Sequence, residues 1–181
     1  MKRIKLSLAQ ILWLSAGIIH FCGAILTLTH GDALTDIIFS LGLIMFFAGL
    51  VNILIYYSKG REMFGSRWLF ADGLTTALLS LYPLFSQGIS DETLPLFFGS
   101  WELFSGVLKT IDSQKLKKES IKFYKGFSLV GGIELISGAL SMIRPLDDFL
   151  GSKTVVAIVL FVQGFGVILK TLMYKELINK N

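Results

Sequence analysis

Two glutamates, Glu102 and Glu134, stand near the middle of stretches that are otherwise almost wholly apolar. A charged side chain at such a depth in a bilayer costs about 2.5 kcal/mol or more, so it normally faces a partner or an interior cavity. Three further polar residues occupy comparable surroundings: His20, Asp72 and Gln163. The five form a candidate intramembrane polar cluster, and two chemistries suit them. They could be a structural polar core, in which hydrogen bonds between helices satisfy each group. They could instead line a cavity that handles protons or a small solute, with His20 as a pH-responsive member. A pair of carboxyls could also serve as acid and base, but the chain has almost no extramembrane surface on which to bind a soluble substrate. The expectation is therefore a protein without enzymatic activity and without catalytic residues. No metal site or cofactor is expected: His20 and His30 are ten residues apart, Cys22 is the single cysteine, and no phosphate-binding glycine loop or nucleophile elbow occurs.

The elements that must position these residues follow from hydropathy. Of 181 residues, 53% are hydrophobic and 17% charged, against about 25% charged in a soluble domain, and mean hydropathy is +0.67. About 20 apolar residues cross the hydrocarbon core as a helix. Such stretches lie at 7–29, 34–57, 67–86, 93–111, 123–143 and 153–174. The first follows a basic start but is too long for a signal-peptide core, and it reads as a retained helix. The predicted fold is an all-α membrane protein with six transmembrane helices, a single integral membrane domain over residues 1–181.

Periodicity gives each helix one stripe of mainly small and polar residues. In the fourth, Gly99, Glu102, Gly106 and Lys109 fall within about 80° of one another. Gly131, Glu134, Gly138 and Ser141 repeat those offsets in the fifth, and Gly17, His20, Ala24 and Thr27 in the first. The second has Gly42, Met45, Gly49 and Asn52, the third Asp72, Thr75 and Thr76, and the sixth Gln163, Gly166 and Lys170. Small residues let helix backbones approach, and Met45 would fill a gap in that packing. Lys109 and Lys170 are near the inner boundary and are expected to reach water along their flexible stems. Asp72, close to the start of its helix, is expected within reach of interfacial water.

Orientation follows from Lys and Arg, which are retained on the cytoplasmic side. Lys2, Arg3 and Lys5 precede the first helix; Lys59, Arg61 and Arg67 fall in the second loop. Lys109, Lys115, Lys117, Lys118, Lys122 and Lys125 surround the fourth, and Lys170, Lys175 and Lys180 the C-terminus. Only Arg144 and Lys153, of 17 basic residues, lie on the other side. Both termini are thus expected in the cytoplasm. Acidic pairs (Asp32 and Asp36, Asp91 and Glu92, Asp147 and Asp148) mark the external loops, while Tyr56, Tyr57, Trp68, Tyr124 and Tyr174 suit the inner boundary and Tyr82 an outer one. The lysine-rich loop reads as this orientation signal; the net charge of +4 gives no reason to invoke nucleic acid.

Three two-helix units, approximately 7–58, 67–112 and 123–174, can be overlaid. Gly17–Gly23 matches the glycine spacing of Gly132–Gly138, and Gly106-Val107-Leu108-Lys109-Thr110 resembles Gly166-Val167-Ile168-Leu169-Lys170-Thr171. An even number of spans per unit makes the repeats parallel. The run Gly132-Ile133-Glu134-Leu135-Ile136, with Pro145 after it, Trp68 opening the third helix and Tyr82-Pro83 closing it, resembles the HdeD family of acid-resistance membrane proteins, also described as a short repeat of unknown function. The resemblance covers roughly residues 8–175. It implies a bacterial inner-membrane location and a role in acid or membrane stress, and it carries over no catalytic residue. The lipid bilayer is the expected partner; homo-oligomerisation, a membrane-protein partner and the ligand stay open.

Overall fold

A computed structural model describes residues 6–31, 33–59, 66–86, 88–119, 124–143 and 149–178, with side chains for 6–31, 33–58, 68–86, 88–119, 124–143 and 149–173. Lys2, Arg3, Lys5, Arg61, Lys122, Arg144 and Lys180 lie outside the described residues, with Asp32, Pro145, Asp147 and Asp148. The side chains of Lys59, Arg67, Tyr174 and Lys175 lie outside them too.

Six long α-helices carry the described chain: α1 (Leu8–Thr29), α2 (Ile38–Lys59), α3 (Ser66–Phe85), α4 (Leu94–Lys118), α5 (Tyr124–Ser141) and α6 (Ser152–Ile178). No strand occurs among the described residues. The boundaries follow local chemistry. Ser7 and Gln10 close a reciprocal capping box at the start of α1, and Pro95 sits in the first turn of α4, where no intrahelical N–H is needed. Three ends depart from the expected positions by four residues or more, one of them the end of α6, at Ile178 rather than 174. The second helix begins at Ile38 rather than 34, because Leu34–Asp36 forms a 3-10 turn. The Leu34 and Thr35 amides there donate to the Asp91 carboxylate at 3.0 and 2.9 Å. The fourth continues to Lys118 rather than stopping near 111, since hydropathy falls there while helix propensity does not.

The helices pack in chain order and the ring closes, α6 returning to α1. Intimate and looser contacts alternate: α2 with α3, α4 with α5, and α6 with α1 are the close pairs. Facing glycines explain the close ones. A Cβ on Gly106 would lie 2.9 Å from the Gly131 carbonyl oxygen, and one on Gly138 would lie 2.7 Å from that of Gly99. Gly49 opposes Gly73, and Gly17 opposes Gly164, in the same manner. Backbone meets backbone at each crossing, as small residues permit. Gly132, prominent in the motif, touches nothing within 4 Å of its would-be Cβ; its neighbour Gly131 makes the contact.

Two apolar clusters bracket the ring's interior. Trp13, Val51, Ile55, Leu69, Leu116 and Phe127 close the end that holds the start of α1. Leu34, Leu41, Met45, Leu94, Phe98 and Leu160 close the other. Met45, fully buried there, fills the position that its stripe leaves to an apolar residue. The outside is apolar as well: Ile18, Ile25, Leu54, Leu78, Phe161 and Leu172 are exposed. Among the described residues, four helices, α1, α2, α3 and α6, are long and apolar enough to cross a membrane, which marks a membrane protein.

The adjacent glycines give a test of the crossing. Gly131→Ala would bring a methyl to 2.8 Å from Thr110 Oγ1 and 3.0 Å from its amide, so it should lower the melting temperature in detergent. Gly132→Ala should leave that temperature unchanged or raise it, since alanine favours a helix by about 0.5–1 kcal/mol over glycine.

Candidate functional site

The interior between the two apolar clusters is polar, and each helix contributes. On α4, Lys109 points back along its helix, as helical side chains do, and its Nζ donates to Ser105 Oγ at 2.6 Å. The same ammonium lies 2.6 Å from Glu134 Oε1 and 2.8 Å from Oε2 on α5, and 3.4 Å from Gln163 Oε1 on α6. Gly166 makes room for the pair: a Cβ there would come within 2.9 Å of Glu134 Oε1 and 3.2 Å of Lys109 Cε.

A second ion pair joins α6 to α3. Lys170 Nζ donates to Asp72 Oδ2 at 3.0 Å. The same oxygen accepts Asn52 Nδ2 of α2 at 2.9 Å, and Asn52 Oδ1 in turn accepts the Trp13 indole N–H of α1 at 3.0 Å. Ser105 bridges the two pairs. Its hydroxyl has one proton to give and two acceptors at 3.4 Å, Asp72 Oδ1 and Gln163 Oε1. One continuous network therefore touches all six helices.

Several expectations need correction. Lys109 and Lys170 do not reach water: they are only 4% and 7% exposed and turn inward to carboxylates. Their stems can snorkel or fold back, and an acid on a facing helix decides which; that acid is invisible in local hydropathy. Asp72 is buried as well, held by Lys170 and Asn52 rather than by interfacial water. Glu134 and Gln163 join Asp72 in the network. His20 does not join it through a side-chain hydrogen bond. Its Nδ1 donates to the Ala16 carbonyl oxygen at 2.7 Å, which fixes the ring one turn back on its own helix. The ring stacks near Trp101, centroids 6.1 Å apart, and Trp101 Nε1 donates to Thr76 Oγ1 at 3.0 Å.

Glu102 differs from all of these. It is 0% exposed, yet both carboxyl oxygens lack a hydrogen-bond partner. Ser137 of α5 is the polar side chain beside it, and the charged groups acting on it are Glu134 and Lys109. The Ser137 hydroxyl itself turns to the Ile133 carbonyl oxygen, 2.8 Å away. Gln163 Nε2 is also buried without a partner. Among the described residues, no group of three or more His, Cys, Asp or Glu is placed to hold a metal ion.

Sequence reasoning passed over several members of this arrangement. Ser105 and Trp13 give no signal of their own, and neither does Gln10, which ties α1 to the Thr171 carbonyl oxygen at 3.1 Å. Lys109 carried the best signal, its place on the stripe that holds Glu102.

A family model described as a short repeat of unknown function (DUF308) matches residues 71–144, the segment from α3 to the end of α5. It contains Asp72, Glu102, Ser105, Lys109 and Glu134. No curated protein and no solved structure matches the chain.

Breaking a buried pair from one side leaves an uncompensated charge and costs about 3–5 kcal/mol, whereas apolar replacement of both partners is often tolerated. Lys109→Leu and Glu134→Gln should each lower the detergent melting temperature strongly. The Lys109→Leu/Glu134→Leu double variant should recover a large part of that loss. Additive losses in this comparison would show that the two side chains are not energetically coupled.

Proposed function

We propose that this chain is a six-span bacterial inner-membrane protein of the HdeD type, with both termini cytoplasmic, acting without catalysis in adaptation to acid or membrane stress. The observation that carries the reading is the inverted distribution of polarity: an apolar exterior surrounds two ion pairs and the hydrogen bonds that extend them to all six helices. The match of the short-repeat family to residues 71–144 supports it.

The two helices with lower hydropathy, α4 and α5, are read as spans for a specific reason. Their mid-helix charges, Glu102, Lys109 and Glu134, all lie on the inward stripe. Their outward faces carry exposed Phe104, Val107, Leu129, Ile133, Ile136 and Leu140, suited to lipid. At about 1.5 Å per residue, the 25 residues of α4 and 18 of α5 reach about 37 and 27 Å, close to the thickness of the hydrocarbon core. Three parallel two-helix repeats fit the alternation of close and loose contacts, with each close pair formed across a repeat boundary.

Cytoplasmic termini follow from the lysines. Lys115 lies over the Trp68 ring, 4.6 Å from its centroid, and Lys117 lies 6.0 Å from that of Tyr124. Such pairs of cation and aromatic ring suit a headgroup boundary. The opposite end is pinned by Asp91 and by Lys153, which donates to the His30 carbonyl oxygen at 2.9 Å.

Topology is tested by single cysteines in a Cys22→Ser background. A cysteine at Lys117 should react with an impermeant thiol reagent only from the cytoplasmic side, and one at Glu92 only from outside. Deleting the gene should lower survival after acid challenge; undiminished survival, or substrate turnover by the purified protein, would overturn the functional reading.

A second reading, a small proton or solute pathway, is favoured by one observation, the unpartnered Glu102 carboxyl. In liposomes carrying a pH gradient, it predicts dissipation by the wild-type chain that disappears in a folded Glu102→Gln variant. The stress-adaptation reading with a purely structural core predicts no dissipation by either.

A further inference from the structure

The interior holds charges in unequal numbers. Lys109 and Lys170 are each committed, within 3.0 Å, to one carboxylate. Three buried carboxyls, Asp72, Glu102 and Glu134, share that interior, with Asp112 partly buried nearer the end of α4, so at least one of the three has no cation. It is Glu102, completely buried and with neither oxygen hydrogen-bonded. An isolated carboxylate is among the costliest groups to bury, and neutralisation removes most of that cost. Neutrality can come from a bound proton or a bound cation.

The surroundings favour the proton. A cation stripped of water needs several oxygen ligands, and those nearby are taken: both Glu134 oxygens face Lys109, and Gln163 Oε1 faces Lys109 and Ser105. The Ser137 hydroxyl donates to backbone, which leaves its lone pairs free to accept a hydrogen bond from a proton on Glu102 beside it. Trp101, the residue before Glu102, faces His20, whose own Nδ1 proton is engaged with Ala16. Asp72 of α3 accepts from Lys170 and Asn52 through Oδ2 and from Ser105 through Oδ1. Asp112 lies ten residues further along α4, about 15 Å away along the axis.

We propose that Glu102 is a proton-binding site in the membrane interior, distinct from Glu134 and Asp72, which serve as fixed counter-charges to Lys109 and Lys170. Binding adds one proton to a carboxyl oxygen and changes no other bond. Lys109, seven residues along the same stripe, is the counter-charge nearest in the chain when that proton leaves. The assignment rests on α4 being a membrane span, and it holds whether or not the proton goes on to cross the membrane.

The test uses the wild-type chain in liposomes, so it does not depend on a variant folding. A membrane-permeant reagent, dicyclohexylcarbodiimide, converts a protonated carboxyl in apolar surroundings to a stable acylurea, which peptide mass spectrometry locates. Glu102 should carry most of the label, with little on Glu134 or Asp72. On the alkaline side of its titration, labelling should fall about ten-fold per pH unit, as the protonated fraction does. Glu102→Gln should abolish the label. Absence of label on Glu102, or equal label on Glu134 or Asp72, overturns the proposal. Protection by sodium or potassium at constant pH also overturns it, in favour of a cation site. Labelling of Glu102 by a water-soluble carbodiimide would instead defeat the reading of α4 as a span, a failure distinguishable from the others.

Discussion

A lysine ammonium held within 2.8 Å of both oxygens of a glutamate, away from water, is the constraint on which the rest of this bundle depends. Neither Lys109 nor Glu134 could be placed at that depth alone without a large desolvation cost. Each makes the other's helix compatible with an apolar setting, so α4 and α5 are coupled as a pair before any apolar packing is counted. The coupling extends outward. Gly166 of α6 leaves the volume that the pair occupies, and Ser105 passes the contact on to Asp72 and hence to Lys170, Asn52 and Trp13. A network so placed fixes the rotation of every helix about its own axis, which apolar packing alone does loosely.

Close backbone approach supplies the complementary restraint. Side chains of ordinary size at Gly106 and Gly138 would push α4 and α5 apart and stretch the 2.6 Å ion pair beyond use. The glycine crossings and the ion pairs are therefore one device: the first sets the distance that the second requires. The apolar clusters at either end complete it by keeping water from the network. Inside such a low-dielectric layer charge pairs act strongly, and unpaired groups are correspondingly costly.

Much of this was legible in the sequence, and the part that was not has a physical reason. Helix positions followed from hydropathy, and the inward faces from the spacing of glycine and polar residues, because both are local periodic signals. The stripe containing Glu102 also contained Lys109, so its face was correct. Its environment was not, since whether a lysine snorkels or folds inward depends on a carboxylate 25 residues away on a neighbouring helix. The same applies to Asp72, whose partner Lys170 is 98 residues distant. The 3-10 turn at Leu34 was missed because Asp91, which holds it, belongs to a different loop. Each of these three errors lies where a long-range polar contact overrides a local tendency.

The proposed repeat sharpens the meaning of Glu102. Met45, Glu102 and Gln163 each precede Asn52, Lys109 and Lys170 by seven residues, and so occupy corresponding places on α2, α4 and α6. If the position served only to fill space, Met45 would represent it fully: buried and packed within the apolar cluster of Leu41, Phe98 and Leu160. Gln163 shows that an amide also fits, its oxygen facing Lys109 and Ser105. A carboxyl is the least suitable of the three for packing, because neither of its oxygens is bonded to a cation or a donor there. On the proposed repeat, α2 and α6 pack without an acid at this place, and α4 retains one with neither oxygen hydrogen-bonded. A side chain that stability does not require, in the setting where it costs most, is the strongest argument in this molecule for chemistry rather than packing.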